Sequence, residues 1–136
     1  MIAFFDACAL IYLIEGNEPF ASRIRQQLAD FAQSHPHAQI AVSRLSWLEC
    51  RVGPMKKNDT RALAQYDAFF ARFDLLWVEI SQDVIELATA IRVRHGLRTP
   101  DALQAASCLQ LGSRHRMLTG DAVFQQVQGL AVTLLK

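Results

Sequence analysis

Four carboxylates, Asp6, Glu49, Asp101 and Asp121, each fall where the sequence predicts a strand to end or a helix to begin. Asp6 closes the apolar run Ile2-Ala3-Phe4-Phe5, short enough for a buried parallel strand. Glu49 falls on a helix predicted just beyond a second strand, Asp101 follows Thr99-Pro100, and Asp121 follows Thr119-Gly120. In open α/β sheets the ligand crevice lies at the carboxyl ends of the strands, so one folded domain could bring all four acids to a single edge. Carboxylates gathered there without a counter-charge would repel and raise one another's pKa values, so the cluster makes sense around a cation. An all-oxygen donor set suits hard ions of octahedral preference, Mg²⁺ or Mn²⁺, rather than zinc, which favours imidazole and thiolate. Singly, each acid has an ordinary explanation: Asp101 as a dipole-matched helix start, Asp121 as a turn residue after glycine, Glu49 as a solvated helix position, Asp6 as a strand-end cap. Only their joint placement argues for chemistry.

Other side chains add little to a metal site. Cys8, Cys50 and Cys108 are an odd set without CxxC spacing and read as free buried thiols. His35 and His37 flank a proline in a predicted loop and read as solvated. The chain of 136 residues has the length of one domain, and 51% hydrophobic against 20% charged residues excludes disorder. Its apolar runs are too short and too interrupted by charge to span a bilayer. The first residues lack a basic segment and a continuous apolar core, which predicts a cytoplasmic location rather than export. A net charge of +1 gives no bulk electrostatic argument for nucleic acid, so any such contact must come from local cations.

Periodicity orders the elements. A strand to Asp6 is followed by a short helix from Ala9 to Glu15, stopped at Gly16, and by a helix over 18–34 with Phe20, Ile24, Leu28 and Phe31 on one stripe. Gln39 to Ser43 predicts a second strand, and Ser43 caps a helix through Leu45, Leu48, Glu49 and Val52 to an expected break at Gly53-Pro54. A helix over 59–73 presents Leu63, Tyr66, Phe70 and Phe73, and a strand over 75–80 follows. Ser81 opens a helix that Gly96 ends; Thr99 as N-cap with Pro100 and Asp101 in the first turn opens another, running to Gly112. Strands at 116–118 and 130–134 bracket Thr119-Gly120-Asp121. Alternation with short connections predicts one α/β domain over residues 1–136, a three-layer α/β/α arrangement on a mainly parallel sheet of four to five strands.

The N-terminal strand ending in Asp6, the Ser43-Arg44-Leu45-Ser46-Trp47-Leu48-Glu49 segment, the Thr99-Pro100-Asp101-Ala102-Leu103-Gln104-Ala105-Ala106 block and the Leu118-Thr119-Gly120-Asp121 turn occur in an order that resembles PIN-domain ribonucleases. The similarity is greatest to the VapC toxins of type II toxin–antitoxin modules and spans almost the whole chain. It implies Asp6, Glu49, Asp101 and Asp121 as an acidic quartet holding Mg²⁺ or Mn²⁺, with Asp6 and Asp101 the direct ligands and the Thr119 hydroxyl orienting the site. It implies hydrolysis of RNA phosphodiester bonds to 5′-phosphate and 3′-hydroxyl ends, a small VapB-like antitoxin as partner, and a homodimer. Cys8 departs from the pattern, since similar proteins carry Ser or Thr there. Among the cations, Arg44, Arg51, Lys56, Lys57, Arg92, Arg94 and Arg98 are candidates for RNA phosphate, with Arg51 and Lys56 favoured by proximity to the acidic helix. The antitoxin is expected over parts of 18–34 and 44–73.

Two rivals from other classes fit less well. A receiver-like signalling domain would need an early adjacent acid pair and a lysine near the last strand, where Asp6 stands alone and only Arg114 and Arg116 are near. A haloacid-dehalogenase-type phosphatase would need an acid where Cys8 sits. A PIN-like module that binds RNA or protein without cleavage remains compatible with everything except the need for an intact quartet.

Overall fold

Five parallel strands form the sheet of the computed structural model, which describes residues 1–135. In chain order the elements are β1 (Ile2–Phe5), α1 (Ala7–Glu15), α2 (Phe20–Ser34), β2 (Gln39–Ser43), α3 (Arg44–Lys56), α4 (Thr60–Phe70), β3 (Leu75–Val78), α5 (Gln82–His95), α6 (Thr99–Leu109), β4 (His115–Thr119) and β5 (Val132–Leu134). A short 3₁₀ segment, Ala122–Gln126, lies between the last two strands. The strand order is β3-β2-β1-β4-β5, and every pairing is parallel.

Side-chain alternation along the strands divides the core into two layers. Ala3, Phe5, Val42 and Leu118 face α1 to α4, where Leu10, Ile24, Tyr66 and Phe70 are buried. Phe4, Ala41 and Met117 face the other way, against Val84, Ala88 and Ile91 of α5 and Ala102, Ala105 and Ala106 of α6. A strand covered by helices on both faces must be apolar at every position, which is why Ile2-Ala3-Phe4-Phe5 shows no alternation in its sequence. The three-layer α/β/α expectation is met, with five strands.

The chain runs outward from β1 through β2 to β3, then returns across the sheet to β4 and β5 on the opposite side. β1 and β4 are therefore the two walls of the topological switch point, where an open parallel sheet forms its crevice. Phe5 pairs with both Val42 and Leu118, so Asp6, Ser43 and Thr119 leave their strands at one level.

Several boundaries differ from the pattern reading, each for a local reason. Helix α1 begins at Ala7 because Asp6 is itself the N-cap, its carboxylate accepting the Ala9 N–H. Helix α3 continues through Gly53-Pro54 to Lys56. Proline lacks an N–H and removes only one bond this close to the end, and the Lys57 N–H closes the last turn on the Gly53 carbonyl. In α4 the stripe stops at Phe70, and Phe73 falls beyond the helix, fully solvent-exposed. In α6, Arg98 takes the cap position and Thr99 is the first helical residue, its hydroxyl accepting from Arg92 rather than capping. That helix ends at Leu109, and Gly112, at φ 79°, lies in the turn that follows. The Ser81 cap and the left-handed Gly96 stop of α5 agree with the pattern.

Phe4→Ala should destabilise the fold by about 3–5 kcal/mol, since its ring is fully buried, whereas Phe73→Ala should change stability by less than about 0.5 kcal/mol. Urea unfolding of both variants measures this, and comparable losses would contradict the packing described.

Candidate metal centre

Asp6 is held at the end of β1 by two groups. One carboxylate oxygen accepts the Ala9 N–H at 2.8 Å, and the other accepts the Thr119 hydroxyl from the end of β4. Thr119 Oγ1 in turn accepts the Asp121 N–H at 3.1 Å, and Asp121 Oδ1 accepts the Val123 N–H at 3.0 Å. A continuous chain of hydrogen bonds thus joins Asp6 to the Gly120-Asp121 turn across the switch point. Gly120 is needed there for space, because a Cβ would stand 2.8 Å from the Tyr12 ring.

Asp6 is almost wholly buried, at 4% exposure. Burial pushes its pKa up to about 6, against the hydrogen bonds from Thr119 and Ala9, and the charges of Glu49 and Asp101 push in the same direction. Glu49, on α3, is likewise raised by burial and by Asp101, with the hydrogen bond from Gln104 opposing. Asp101, in the first turn of α6, is raised by burial and by Asp121, partly offset by Arg98. The four acids therefore sense one another in a single electrostatic neighbourhood. Among the described residues none of the four takes part in an ion pair.

Their chemistry fits a hard divalent cation: the donors are carboxylate oxygens without a paired cation, with Asp6, Glu49 and Asp101 partly desolvated and Asp121 exposed at the rim. As the side chains stand, no three His, Cys, Asp or Glu among the described residues are close enough to hold a metal ion together.

The remaining candidates fall in different places. Arg51 Nε donates to Asp67 at 2.9 Å, and its guanidinium lies over the Trp47 ring at 4.6 Å. Lys56 lies at the end of α3 on a groove lined by Trp47, Leu48, Arg51, Val52 and Met55. Neither is ion-paired with the quartet, whereas Lys57 shares a small cleft with Glu49 and Glu15. Arg44 is bound to Glu79, and Arg92 to the Leu97 carbonyl and Thr99. Cys8 is half-buried, its thiol pushed up by burial with the Tyr12 hydroxyl beside it; Cys50 and Cys108 are buried and free.

Three buried polar residues under the site escaped pattern reasoning. Gln104 Nε2 donates to Ser46 Oγ at 3.0 Å and to Glu49 Oε1 at 2.9 Å, and Ser107 donates to Ser43 at 3.2 Å. The available signal was Gln104 itself, which with Ser107 is a polar residue among the buried Ala102, Ala105, Ala106 and Cys108 of α6.

These environments make stability depend on pH in a defined direction. A carboxyl raised in the folded state binds its proton more tightly there than in the unfolded chain, so its contribution is full below about pH 4 and is lost as pH rises through about 6. In chelator the protein should melt at progressively lower temperature between about pH 4 and pH 7, and Asp6→Asn should flatten much of that slope; an unchanged slope would show that Asp6 is not desolvated as described. Asp101→Asn in chelator at neutral pH should melt at or above wild type, because a like charge is removed. A marked drop would make Asp101 a structural cap instead.

The sequence matches the PIN-domain family model over residues 3–130. No curated protein matches it significantly in sequence. Among solved structures, a toxin–antitoxin complex from Klebsiella pneumoniae is similar at 27% identity and TM-score 0.66, covering 98% of each chain. VapBC2 from Rickettsia felis, bound to a DNA fragment from its promoter, has TM-score 0.79 at 17% identity with 98% of each chain covered. VapC20 from Mycobacterium tuberculosis, a toxin that cleaves the sarcin–ricin loop, has TM-score 0.70 at 15% identity, covering 90% of this chain and 92% of that one. The fold seen here is thus the one found in VapBC structures, and with the family match running from β1 into the last loop, the chain belongs to the PIN-domain family.

Proposed function

We propose that the chain, as one PIN domain over residues 1–136, is a Mg²⁺- or Mn²⁺-dependent endoribonuclease and the toxin of a type II toxin–antitoxin pair, acting in the cytoplasm. The observation that carries this reading is Asp6: a buried carboxylate without an ion-pair partner, at the switch point of a parallel sheet, in the field of Glu49 and Asp101 and linked through Thr119 to Asp121. Family membership and the RNA-cleaving activity of the Mycobacterium tuberculosis toxin of the same fold support it.

Asp6 and Asp101 would be the direct ligands, with Glu49 and Asp121 completing the acidic edge. A bound divalent ion supplies positive charge against the negative charge developing at phosphorus and acidifies water. The chain's own groups do the rest. Ala9 N–H and the Thr119 hydroxyl fix both oxygens of Asp6, so its carboxylate loses no orientational freedom when it takes up a cation. Glu49 Oε1 is engaged by Gln104, which leaves Oε2 to contribute to the cation site. The positive end of the α6 dipole lies at Asp101 and works against the burial that raises its pKa. Arg98 beside Asp101 and Lys57 beside Glu49 are placed to meet RNA phosphate more directly than Arg51, which is committed to Asp67. Arg51 and Lys56 would then contact substrate only at its periphery.

Trp47, Leu48, Val52 and Met55 form an exposed apolar face on α3, bordered by Arg51 and Lys56. Exposed apolar surface of this kind marks an interaction site, and an antitoxin segment carrying apolar and acidic residues would suit it. The toxin–antitoxin complexes of the same fold support such a partner.

Purified protein and Asp6→Asn should be incubated with total cellular RNA in Mg²⁺, Mn²⁺ or chelator, and new 5′-phosphate ends mapped by sequencing. Discrete ends requiring both metal and Asp6 are expected; a folded protein that yields none would be a binding module rather than a nuclease. Co-expression with the small open reading frame beside its gene should abolish cleavage and protect α3 from hydrogen exchange. Failure of the two products to associate would remove the antitoxin from the proposal.

A further inference from the structure

Gln104 lies in the middle of α6 at 2% exposure, surrounded by small apolar side chains, yet carries an amide that the helix does not need. Both N–H donors of that amide cross to α3, one to Ser46 Oγ at 3.0 Å and one to Glu49 Oε1 at 2.9 Å. Its own oxygen, Oε1, is buried without a hydrogen-bond partner among the described residues. An unpaired buried acceptor is unfavourable, and exchanging the oxygen and nitrogen positions would not relieve it: Oε1 would then face the lone pairs of a carboxylate. The side chain is therefore oriented by Glu49. No other side-chain hydrogen bond to Glu49 is made among the described residues.

We propose that Gln104 is a positioning residue for the acidic centre, tying Glu49 Oε1 to α6 so that its other oxygen is held in a fixed place relative to Asp101, one helical turn earlier on the same helix. Asp101 and Gln104 are separated by i, i+3 on α6, so a single rigid element carries one acid and grips another. This deepens the metal-centre reading and rests on it. Groups that orient metal-binding side chains typically change metal affinity about 10–100-fold when removed. Ser46 provides the internal control, because it shares the amide but makes no hydrogen bond to Glu49 among the described residues.

The test is Mn²⁺ titration by calorimetry, with melting in chelator and the metal dependence of RNA cleavage measured on the same samples. Q104M, and Q104L as a second apolar replacement, should weaken Mn²⁺ binding about tenfold and shift the metal concentration for half-maximal cleavage in parallel. S46A should lower the melting temperature while leaving Mn²⁺ affinity within about twofold. In an E49Q background, Q104M should have little further effect on affinity, since the carboxylate it positions is gone. Equal weakening by Q104M and S46A, or a full effect of Q104M in E49Q, would make Gln104 a packing residue only. Wild type that binds Mn²⁺ with Q104M unaltered would overturn this proposal alone. Wild type that binds no Mn²⁺ would overturn the metal-centre reading itself.

Discussion

A buried carboxylate beside other carboxylates, with no cation paired to it, is the constraint around which this molecule is arranged. Asp6 begins α1 as its N-cap, ends β1, and takes the hydroxyl at the end of β4. Each of those bonds favours its charged form, and burial opposes them and prevails, leaving the pKa near 6. A structural cap does not need such an environment, since an exposed Asp or Ser would cap equally well. The fold therefore carries an electrostatic cost at the edge where chemistry is proposed, in the manner of functional sites that trade stability for activity.

The parallel topology makes that concentration of charge possible. Positions 6 and 119 are far apart in the chain, but β1 and β4 are adjacent strands whose ends emerge at one level. Glu49 reaches the same edge because β2 is the other neighbour of β1 and α3 starts where β2 stops. Asp101 arrives differently, from the N-terminal turn of α6, the helix that returns the chain to β4. Polar contacts beneath the site, Ser43 to Ser107 and Gln104 to Ser46 and Glu49, join the end of β2 and α3 to α6 where an apolar seam would otherwise be expected. Buried polar networks of this sort specify one relative placement of two helices more sharply than apolar packing does.

The similar structures named above share this fold at 15–27% identity. That range is what the physics leads one to expect, because a doubly covered parallel sheet requires apolar character and suitable volume rather than particular residues. Identity of residue matters where a carboxylate must meet a cation or a backbone N–H, and such positions are few. The outer face of α3 belongs to neither category: Leu48 and Met55 are well exposed and contribute little to the core, so their apolar character is explained by a partner better than by folding.

The order of elements, the Asp6 strand end, the Ser81 cap, the Gly96 stop and the proline-aspartate start of α6 were all legible in the amino-acid sequence, because capping, turn and periodicity signals act within a few residues. The positions of the four acids at element ends belong to the same class. Tertiary structure alone decided that Arg51 is bound to Asp67 and that Gln104 grips Glu49. Each of these depends on which side chains the topology brings within hydrogen-bond or van der Waals range across tens of residues, and a local pattern carries no information about distances of that kind.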